Sequence, residues 1–482
     1  MSRPKLLILA FDAAQSSLLM EGVRRGDLPT LASLIEGGLM GSLTTPPAVL
    51  EGAIWPTLIT GTSPASHGMF SSLQIVPGTY RWRAGVTAER LPFAPFWEHL
   101  SEAGQRVVAI DVPFAKPVRN LNGIHVCNWG AHDAWSYPRS SWPADVLPDL
   151  VSRFGDHPIP TCDLPRRTFR EFEIFKSCLI TGIQKKTAVL SHYLQRNDWD
   201  FFFGVYSESH CAGHQAWHLT DPSHPRHDPS TPATLKAILR DTYRAIDKGI
   251  GRLLQRAAAD THVMVISSHG MGPWYAGSHL LAQVLEKLDM SGETGPAKEI
   301  IWSARRMIAP QTRERLKRGQ FATAVSKLWH WTHRNPIRRM RAFSVPSNNM
   351  TAGIRLNVQG REPDGIVRPG REYEKLCAEL SQALLDLENP HTGRRAVLWV
   401  AHARDLYQGP RLDEFPDLFV EWDHSAPIDA LRSARIGEIR GTLGVQRTGD
   451  HRAGGLLVAH GARFRRGSVT GRIRTMDLAP TI

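Results

Sequence analysis

The chain has 482 residues, 42% of them hydrophobic and 22% charged, with 14 tryptophans and a mean hydropathy of -0.26. This composition is typical of a soluble globular protein and excludes intrinsic disorder. The length suits one large α/β domain with insertions or two to three smaller domains, and no apolar run approaches the ~18 residues of a membrane helix.

The predicted elements begin with a strand. The opening "MSRPKLLILAFD" places basic residues before an apolar run, but this run stops at Asp12 after about six residues, too short for a signal-peptide core. This run and six later ones are almost continuously apolar, which predicts that they are buried parallel strands. The later runs are "RVVAIDV" (106–112), "DFFFGVY" (200–206), "HVMVIS" (262–267), "AGIRLNV" (352–358), "DLFVEW" (417–422) and "GGLLVAH" (454–460).

Amphipathic stretches between these runs predict helices, with apolar residues at three- and four-residue spacing in 235–258 and 372–388. This alternation predicts a doubly wound α/β fold, with a mostly parallel central sheet flanked by helices. Two segments lack the alternation, at about 113–198 and 274–348. We interpret both as insertions in a single domain that spans 1–482.

The second insertion is strongly basic. The formal net charge of the chain is +12, and between Arg305 and Arg341 there are 11 Lys or Arg residues against one acid. Such a segment attracts a small anionic substrate, a nucleic acid or an anionic membrane surface, or else it is a solvated helical insertion. The sequence contains no nucleic-acid recognition motif.

The cysteines give an indication of the redox environment. They are scattered, odd in number and without a CxxC pair, which argues against a disulfide framework and against a thiolate zinc site. We therefore expect reduced cysteines and a cytoplasmic location. The five are Cys127, Cys162, Cys178, Cys211 and Cys377.

Acids and imidazoles lie next to the ends of several predicted strands. Ligands of doubly wound sheets bind outside the carboxyl ends of the strands, so we expect these residues to converge on one edge. They are Asp12, Glu208, His210, His269 and His451, with Ser268 directly before His269.

The stretch "SESHCAGHQAWHL" (207–219) has three histidines at four-residue spacing. In a helix, His210 and His214 lie on one face about 6 Å apart, as metal ligands at i and i+4 require. His218 lies roughly 12 Å from His210 and cannot share the ion. His451 is then the natural third ligand. The alternative is that the histidines form only one polar face of a helix.

The motifs as a set resemble the alkaline phosphatase superfamily, specifically its type I phosphodiesterase and nucleotide pyrophosphatase branch. The resemblance implies a two-metal hydrolase fold. One metal is held by an Asp and two His, and the other by the first-strand Asp, an Asp-His pair and a Thr or Ser nucleophile that attacks phosphorus or sulfur. The matching segments run in family order: "LLILAFDAA" (6–14), "LPTLASLIEGGLMGSL" (28–43), "WPTLITGTSPASHGMF" (55–70), 207–225, "ISSHGMGP" (266–273), 356–376, "FPDLFVEW" (415–422), "TGDHRAGGLLVAHG" (448–461) and "MDLAPTI" (476–482).

Carried over residue by residue, the resemblance implies metal ligands at four positions that match the family motifs. These are Asp12, His214, His269 and His451.

Three positions depart from the family pattern. His210 and Ser268 stand where the family has aspartates, and Glu51 stands where it has the Thr or Ser nucleophile. The first site becomes a neutral three-histidine set, which suits zinc and is compatible with manganese or iron. The second site gains a carboxylate at 51 and loses one at 268.

Glu51 has three functional interpretations. It is a metal ligand beside a water nucleophile, or it is itself a general base or covalent nucleophile. In the third interpretation, the match to the family motif is shifted along the sequence, and Thr45 of "TTPPA" supplies the nucleophilic hydroxyl instead of residue 51. We favour the ligand interpretation. The structural alternative is a glutamate that stabilises a helix N-terminus.

The first insertion contains candidate substrate contacts in "NWGAHDAW" (128–135), namely Trp129, His132 and Asp133. A packed aromatic loop explains the same residues equally well. Three neighbours of the predicted ligands are candidates for holding an imidazole in place. They are Glu208, Cys211 and Asp450.

These features predict a metal-dependent hydrolase of phosphate or sulfate esters, most directly of a phosphodiester, with one or two divalent ions. Two alternatives remain open: a family member that binds an anionic ligand without turnover, and a metal-dependent group-transfer enzyme.

Overall fold

The computed structural model describes residues 5–49, 52–84, 91–130, 138–162, 164–288, 290, 337–347, 350–442 and 447–482. Three predicted site residues, Glu51, His132 and Asp133, lie outside the described residues, as does most of the basic segment. No helix within the described ranges combines the length and apolar character that crossing a bilayer requires.

A ten-stranded sheet forms the centre of the fold. Its strands are β1 (Leu6–Phe11), β2 (Leu39–Thr44), β5 (Val107–Ile110), β6 (Gly123–Cys127), β7 (Ser140–Trp142), β8 (Phe201–Tyr206), β9 (His262–Ser267), β20 (Gly455–His460), β21 (Gly467–Ser468) and β22 (Ile473–Arg474). The spatial order is β21-β2-β20-β9-β1-β8-β5-β6-β7, with β22 also paired to β2. The pairs from β9 through β1, β8 and β5 to β6 are parallel, whereas β20 and β7 run antiparallel to their neighbours. The predicted α/β class with a mostly parallel sheet is confirmed.

Both faces of the sheet are buried. In β1, Leu7, Leu9 and Phe11 belong to one hydrophobic cluster, and the alternate residues Ile8 and Ala10 belong to another. This double burial explains why the strands read as continuous apolar runs rather than as alternating ones.

Helices cover the two faces. The helices among the described residues are α1 (Ser16–Arg24), α2 (Pro29–Gly37), α3 (Ile54–Thr60), α4 (Pro64–His67), α5 (Phe96–Glu102), α6 (Val146–Phe154), α7 (Phe169–Gln195), α8 (Glu208–Thr220), α9 (Ala233–Lys236), α10 (Ile238–Leu254), α11 (Leu281–Lys287), α12 (Arg371–Leu385), α13 (Ala403–Leu406) and α14 (Leu478–Thr481). The first face packs against α1, α2, α6, α7 and α10, and the second packs against α3, α5 and α14. The helices predicted at 235–258 and 372–388 correspond to α9, α10 and α12.

A second group of strands has its own hydrophobic cluster, shared with α11 and α12. One antiparallel sheet contains β11 (Ala342–Val345), β12 (Thr351–Leu356), β15 (Val397–His402) and β16 (Leu418–Trp422), and another contains β13 (Glu388–Asn389), β14 (Arg394–Arg395), β17 (Ala430–Ser433) and β18 (Gly437–Arg440). Two ribbons complete the strands: β3 (Leu73–Ile75) with β4 (Trp82–Ala84), and β10 (Gly270–Pro273) with β19 (Gly449–Arg452).

Three of the strand predictions were wrong in direction. The run at 454–460 forms β20, which lies in the central sheet but is antiparallel to both β9 and β2. The runs at 352–358 and 417–422 form β12 and β16, which pair with each other antiparallel and lie outside the central sheet. A strand that is buried on both faces has the same apolar pattern in either direction, so the sequence could not distinguish the two arrangements.

The segment 113–198 is more closely integrated than the term insertion suggests. It supplies β6 and β7 of the central sheet, and it supplies α7, which packs on α10. A capping box starts α7, because the Thr168 hydroxyl accepts from the backbone NH of Glu171 while the Glu171 carboxylate accepts from the backbone NH of Thr168.

One disulfide is present among the described residues. It joins Cys162 to Cys211, whose Cα atoms are 5.0 Å apart, while Cys127, Cys178 and Cys377 are free thiols. The prediction of reduced cysteines was therefore wrong for this pair. The partners are separated by 49 residues, and only the tertiary fold brings the segment before α7 against α8.

Candidate metal centre

Strand ends and one ribbon assemble the site. Asp12 directly follows β1, α8 begins two residues after β8, and His269 lies between β9 and β10. β10 pairs with β19 antiparallel, with Met271 opposite His451. This ribbon carries a distant part of the chain back to the carboxyl edge of the central sheet, where ligands of such sheets bind.

Three histidine side chains meet at this edge. The Nε2 atom of His214 lies 3.1 Å from Nε2 of His210 and 3.1 Å from Nε2 of His451. One nitrogen from each ring lies within 4.8 Å of the other two, so the three can hold a single ion. Four nitrogens around a tetrahedral zinc, each 2.0–2.1 Å from it, are about 3.3 Å apart, which is close to the observed spacing.

The hydrogen bonds of two rings direct their Nε2 lone pairs into the site. Nδ1 of His214 donates to the carbonyl of Gly449 at 2.8 Å. Nδ1 of His269 lies 2.9 Å from the hydroxyl of Ser268, which in turn donates to Asp12 Oδ1 at 3.3 Å, so this Nδ1 is the donor to the hydroxyl. Nε2 of His269 is buried and has no hydrogen-bond partner among the described residues. Such a tautomer is the one that binds a metal through Nε2.

Burial favours the neutral form of three of these imidazoles. It lowers the pKa of His214 and of His269 well below the usual range, and it lowers the pKa of His451 to about 3. The positive charge of Arg447 adds to the lowering for His214 and His451. Neutral imidazole is the form that coordinates a cation.

Asp12 is the carboxylate of the site. The indole of Trp55 donates to its Oδ1 at 2.9 Å, and burial raises the pKa of Asp12 to about 6. A carboxylate in this position has too little compensating charge from its neighbours, and a bound cation would supply it. The ring of His269 contacts that of His451, with centroids 4.6 Å apart, which joins Asp12 and His269 to the three histidines.

The residues present therefore fit a metal centre. Nε2 of His269 is buried without a partner among the described residues, nitrogens of three further imidazoles converge next to its ring, and the buried carboxylate of Asp12 is linked to it through Ser268. His218 is not part of this set, because its Nδ1 bonds to the hydroxyl of Thr448 at 3.0 Å.

Several other predicted residues have specific positions. Trp129 is buried at 3% exposure, and its indole donates to the carbonyl of Gly155, so it packs in the core; its contact with substrate stays a prediction. Thr45 follows β2 at the same sheet edge, and its hydroxyl accepts from the backbone NH of Gly454 at 3.4 Å. Asp450 accepts from the backbone NH of His451 at 2.8 Å.

The predicted neighbours of the ligands have different partners from those expected. Glu208 bonds to His157 at 3.0 Å, with both side chains almost fully buried, and Cys211 is in the disulfide. It is the sulfur of Cys162 that contacts Nδ1 of His210, at 3.4 Å. The sequence held no local signal for His157 or Cys162, because both approach α8 from a segment about 50 residues earlier in the chain.

The fold and the site define a class, that of α/β hydrolytic enzymes with an alkaline phosphatase-like architecture. The sequence profile of the type I phosphodiesterase / nucleotide pyrophosphatase family matches residues 6–428. The chain belongs to this family, whose members hydrolyse phosphoesters and generally depend on divalent metal ions. His451 lies beyond the matched range, so its assignment to the site depends on the geometry described above. No curated protein matches the chain by sequence.

Solved structures share the fold at low sequence identity. The phosphonoacetate hydrolase of Sinorhizobium meliloti 1021, in complex with phosphonoformate, is 11% identical with a TM-score of 0.54, over 99% of this chain and 94% of that one. Human ectonucleotide pyrophosphatase / phosphodiesterase 5 is 12% identical with a TM-score of 0.50, over 99% of this chain and 93% of that one. At this level of identity the likeness shows the fold alone.

Proposed function

We propose that this protein is a zinc-dependent hydrolase of small phosphodiesters. One observation supports the proposal most strongly: the Nε2 atoms of the half-buried His210 and of the buried His214 and His451 converge near Asp12 and His269 at the ligand-binding edge of the sheet. A phosphodiester fits the family, and the complex of the Sinorhizobium hydrolase with phosphonoformate, a small anion, supports an anionic substrate.

The chain's own residues divide into two sets. His210, His214 and His451 would hold one ion, and Asp12 and His269 would hold a second one together with Glu51. We assign Glu51 to the second ion because it lies four residues before Trp55 in the sequence, and the indole of Trp55 bonds to Asp12. When bound, a divalent ion supplies Lewis acidity toward a phosphoryl oxygen and acidifies water at neutral pH.

The ligand chemistry favours zinc and an anionic substrate. Imidazole nitrogens suit zinc better than magnesium or calcium, which prefer oxygen. Because three imidazoles carry no charge, the first ion keeps its full positive charge, whereas the family aspartate would neutralise part of it. The nearby guanidinium of Arg447 adds to the positive potential. Both effects attract the phosphate group.

One observation favours a second candidate, a family member that binds an anionic ligand without turnover. The family nucleophile is replaced by Glu51, and Ser268 stands in place of a carboxylate ligand. In this candidate the three-histidine site retains its metal, but no group is positioned to attack phosphorus.

Metal analysis and a substrate panel test the proposal and separate it from this second candidate. Purified protein would be assayed with bis(4-nitrophenyl) phosphate, 4-nitrophenyl phosphate and 4-nitrophenyl sulfate, each with Zn, Mn or Fe. The proposal expects bound zinc and fastest hydrolysis of the diester, with both lost in His214→Ala and kept in His391→Ala, an exposed histidine of the second strand group. Bound metal without hydrolysis of any ester supports the binding protein instead.

A further inference from the structure

The disulfide lies directly against one of the three histidines. Cys211 is the residue after His210, and Cys162 belongs to the segment that leads into α7. Both sulfurs are buried, with Cys162 at 3% and Cys211 at 0% exposure. The sulfur of Cys162 lies 3.4 Å from Nδ1 of His210.

This contact selects the tautomer of His210. A disulfide sulfur carries lone pairs and no hydrogen, so in this contact Nδ1–H is the donor and Nε2 carries the lone pair. Nε2 is the atom that faces His214, at 3.1 Å. The sulfur therefore does for His210 what the Gly449 carbonyl does for His214, since each holds a ring with its metal-binding nitrogen turned inward.

Reduction would change the character of the contact. The free thiol of Cys162 has a hydrogen of its own and can donate to Nδ1 of His210, which favours the tautomer that carries its hydrogen on Nε2. A hydrogen on Nε2 points at the metal position and prevents coordination. The thiol is also no longer tied to α8.

A second tether keeps the reduced segment in place. His157, five residues before Cys162, bonds to Glu208 in the first turn of α8, with side-chain exposures of 2% and 0%. The segment therefore stays against α8 when the disulfide opens, and the change is confined to the sulfur and the ring beside it.

We infer that Cys162 is a positioning residue for His210 and that the Cys162–Cys211 disulfide is a redox control on metal binding: the oxidised chain holds the metal tightly and the reduced chain holds it weakly. The inference rests on the metal site of the proposed function. In the reduction, the S–S bond breaks and two thiols form. With a phosphine as reductant, water supplies the oxygen of the phosphine oxide and the two thiol protons.

The test is a zinc competition titration against a chromophoric chelator, in the full-length chain, before and after treatment with a phosphine. A phosphine is chosen because dithiols chelate zinc. Loss of an orienting partner behind a metal-bound imidazole weakens binding about 10- to 100-fold, and we expect a decrease of that size on reduction and its recovery on reoxidation. Thiol counts in denaturant report whether the disulfide is intact, and circular dichroism reports whether the fold is retained.

Matched variants separate positioning from general stability. Cys211→Ala opens the bridge but keeps the Cys162 thiol, so its affinity should equal that of the reduced chain and should not respond to the phosphine. Cys162→Ala should also be weak and unresponsive. Cys178→Ala, which changes a free and half-buried cysteine, should keep the full response.

Equal or tighter zinc binding by the reduced chain overturns the inference, as does a count of five thiols in the untreated protein. Because the readout is metal affinity, the outcome is independent of turnover. If zinc binds with the expected redox response but no ester is hydrolysed, the inference stands and the proposed activity fails.

Discussion

His214 and His451 are 237 residues apart in the sequence, and their Nε2 atoms are 3.1 Å apart in the fold. α8 supplies the first ring and the β10–β19 ribbon supplies the second, so two separately folded elements must dock correctly before the pair exists. Both rings are buried and neutral, and burial of two such nitrogens at this distance is favourable only with a shared proton or a shared cation.

Removal of one ring should release the metal. We expect His214→Ala to lower zinc affinity on the order of 100-fold or more, because it deletes the imidazole that contacts both other rings. Elemental analysis after dialysis against a weak chelator measures this directly. His391→Ala is the control, and equal zinc content in the two variants would contradict the assignment.

Ser268 offers a test of the second ion site. Ser268→Asp restores the family carboxylate next to Asp12, and it should raise affinity for a second divalent ion on the order of tenfold or more through the added charge. In the absence of metal the two buried carboxylates repel, so the variant should melt at a lower temperature than the native chain. Ser268→Ala removes the same hydroxyl without adding charge.

Calorimetric titration with manganese or zinc distinguishes these variants. A second binding step that strengthens in Ser268→Asp and not in Ser268→Ala supports the site. Identical titrations of the two variants would show that no ion binds beside Asp12.

Acid should destabilise the fold through a buried histidine outside the metal centre. His67 contacts the hydroxyl of Thr57 at 3.0 Å, and burial lowers its pKa to about 3 from the usual 6.5. The unfolded chain therefore takes up a proton as the pH falls below 6.5, while the folded chain does not. Stability is complete above pH 6.5 and falls between pH 6.5 and 3, by about 2 kcal/mol at pH 5 from this residue.

Urea unfolding at pH 7.5 and 5.0 checks the effect. The native chain should lose more stability between these two pH values than His67→Gln, which does not titrate. Equal losses would mean that His67 is protonated in the folded state.

Removal of the Lys186 charge from its buried ion pair with Asp111 should strongly destabilise the fold. Both side chains are fully buried, and Asp111 also accepts from the backbone NH groups of Trp129 and Gly130, at 2.7 and 2.8 Å. Lys186→Met leaves an uncompensated buried carboxylate, so we expect a loss of about 3–5 kcal/mol in the free energy of unfolding.

The paired change Lys186→Met with Asp111→Asn should recover most of this loss, because the amide oxygen keeps one acceptor without the charge. Chemical denaturation of both variants measures the difference. A single variant as stable as the native chain would show that the carboxylate is neutral or hydrated.

Much of the central sheet could be predicted from the sequence. The apolar runs that became β1, β8 and β9 are buried on both faces, and this gives a clear local signal. The directions of β12, β16 and β20 could not be predicted, because a strand that is buried on both faces has the same apolar pattern in either direction. The i, i+4 spacing of His210 and His214 was a local signal for the site, and the family order of motifs pointed to His451.

The residues that orient the predicted metal ligands could be predicted less well from the sequence than the ligands themselves. The Gly449 carbonyl is a backbone group, so its hydrogen bond to His214 could not be predicted from the residue type. Cys162 lies 48 residues before His210, and its contact depends on how the segment before α7 packs on α8. Glu208 was a candidate partner for His210 by adjacency, but the first turn of the helix directs it to His157 instead.

Imidazoles from two distant parts of the chain, α8 and β19, share one cation in the proposed site. A crystal structure of the zinc-loaded protein, with anomalous data at the zinc edge, shows whether they do. We expect one strong peak with Nε2 of His210, His214 and His451 each about 2.0–2.1 Å away. A zinc ion bound elsewhere, or rings too far apart to touch one ion, would contradict it.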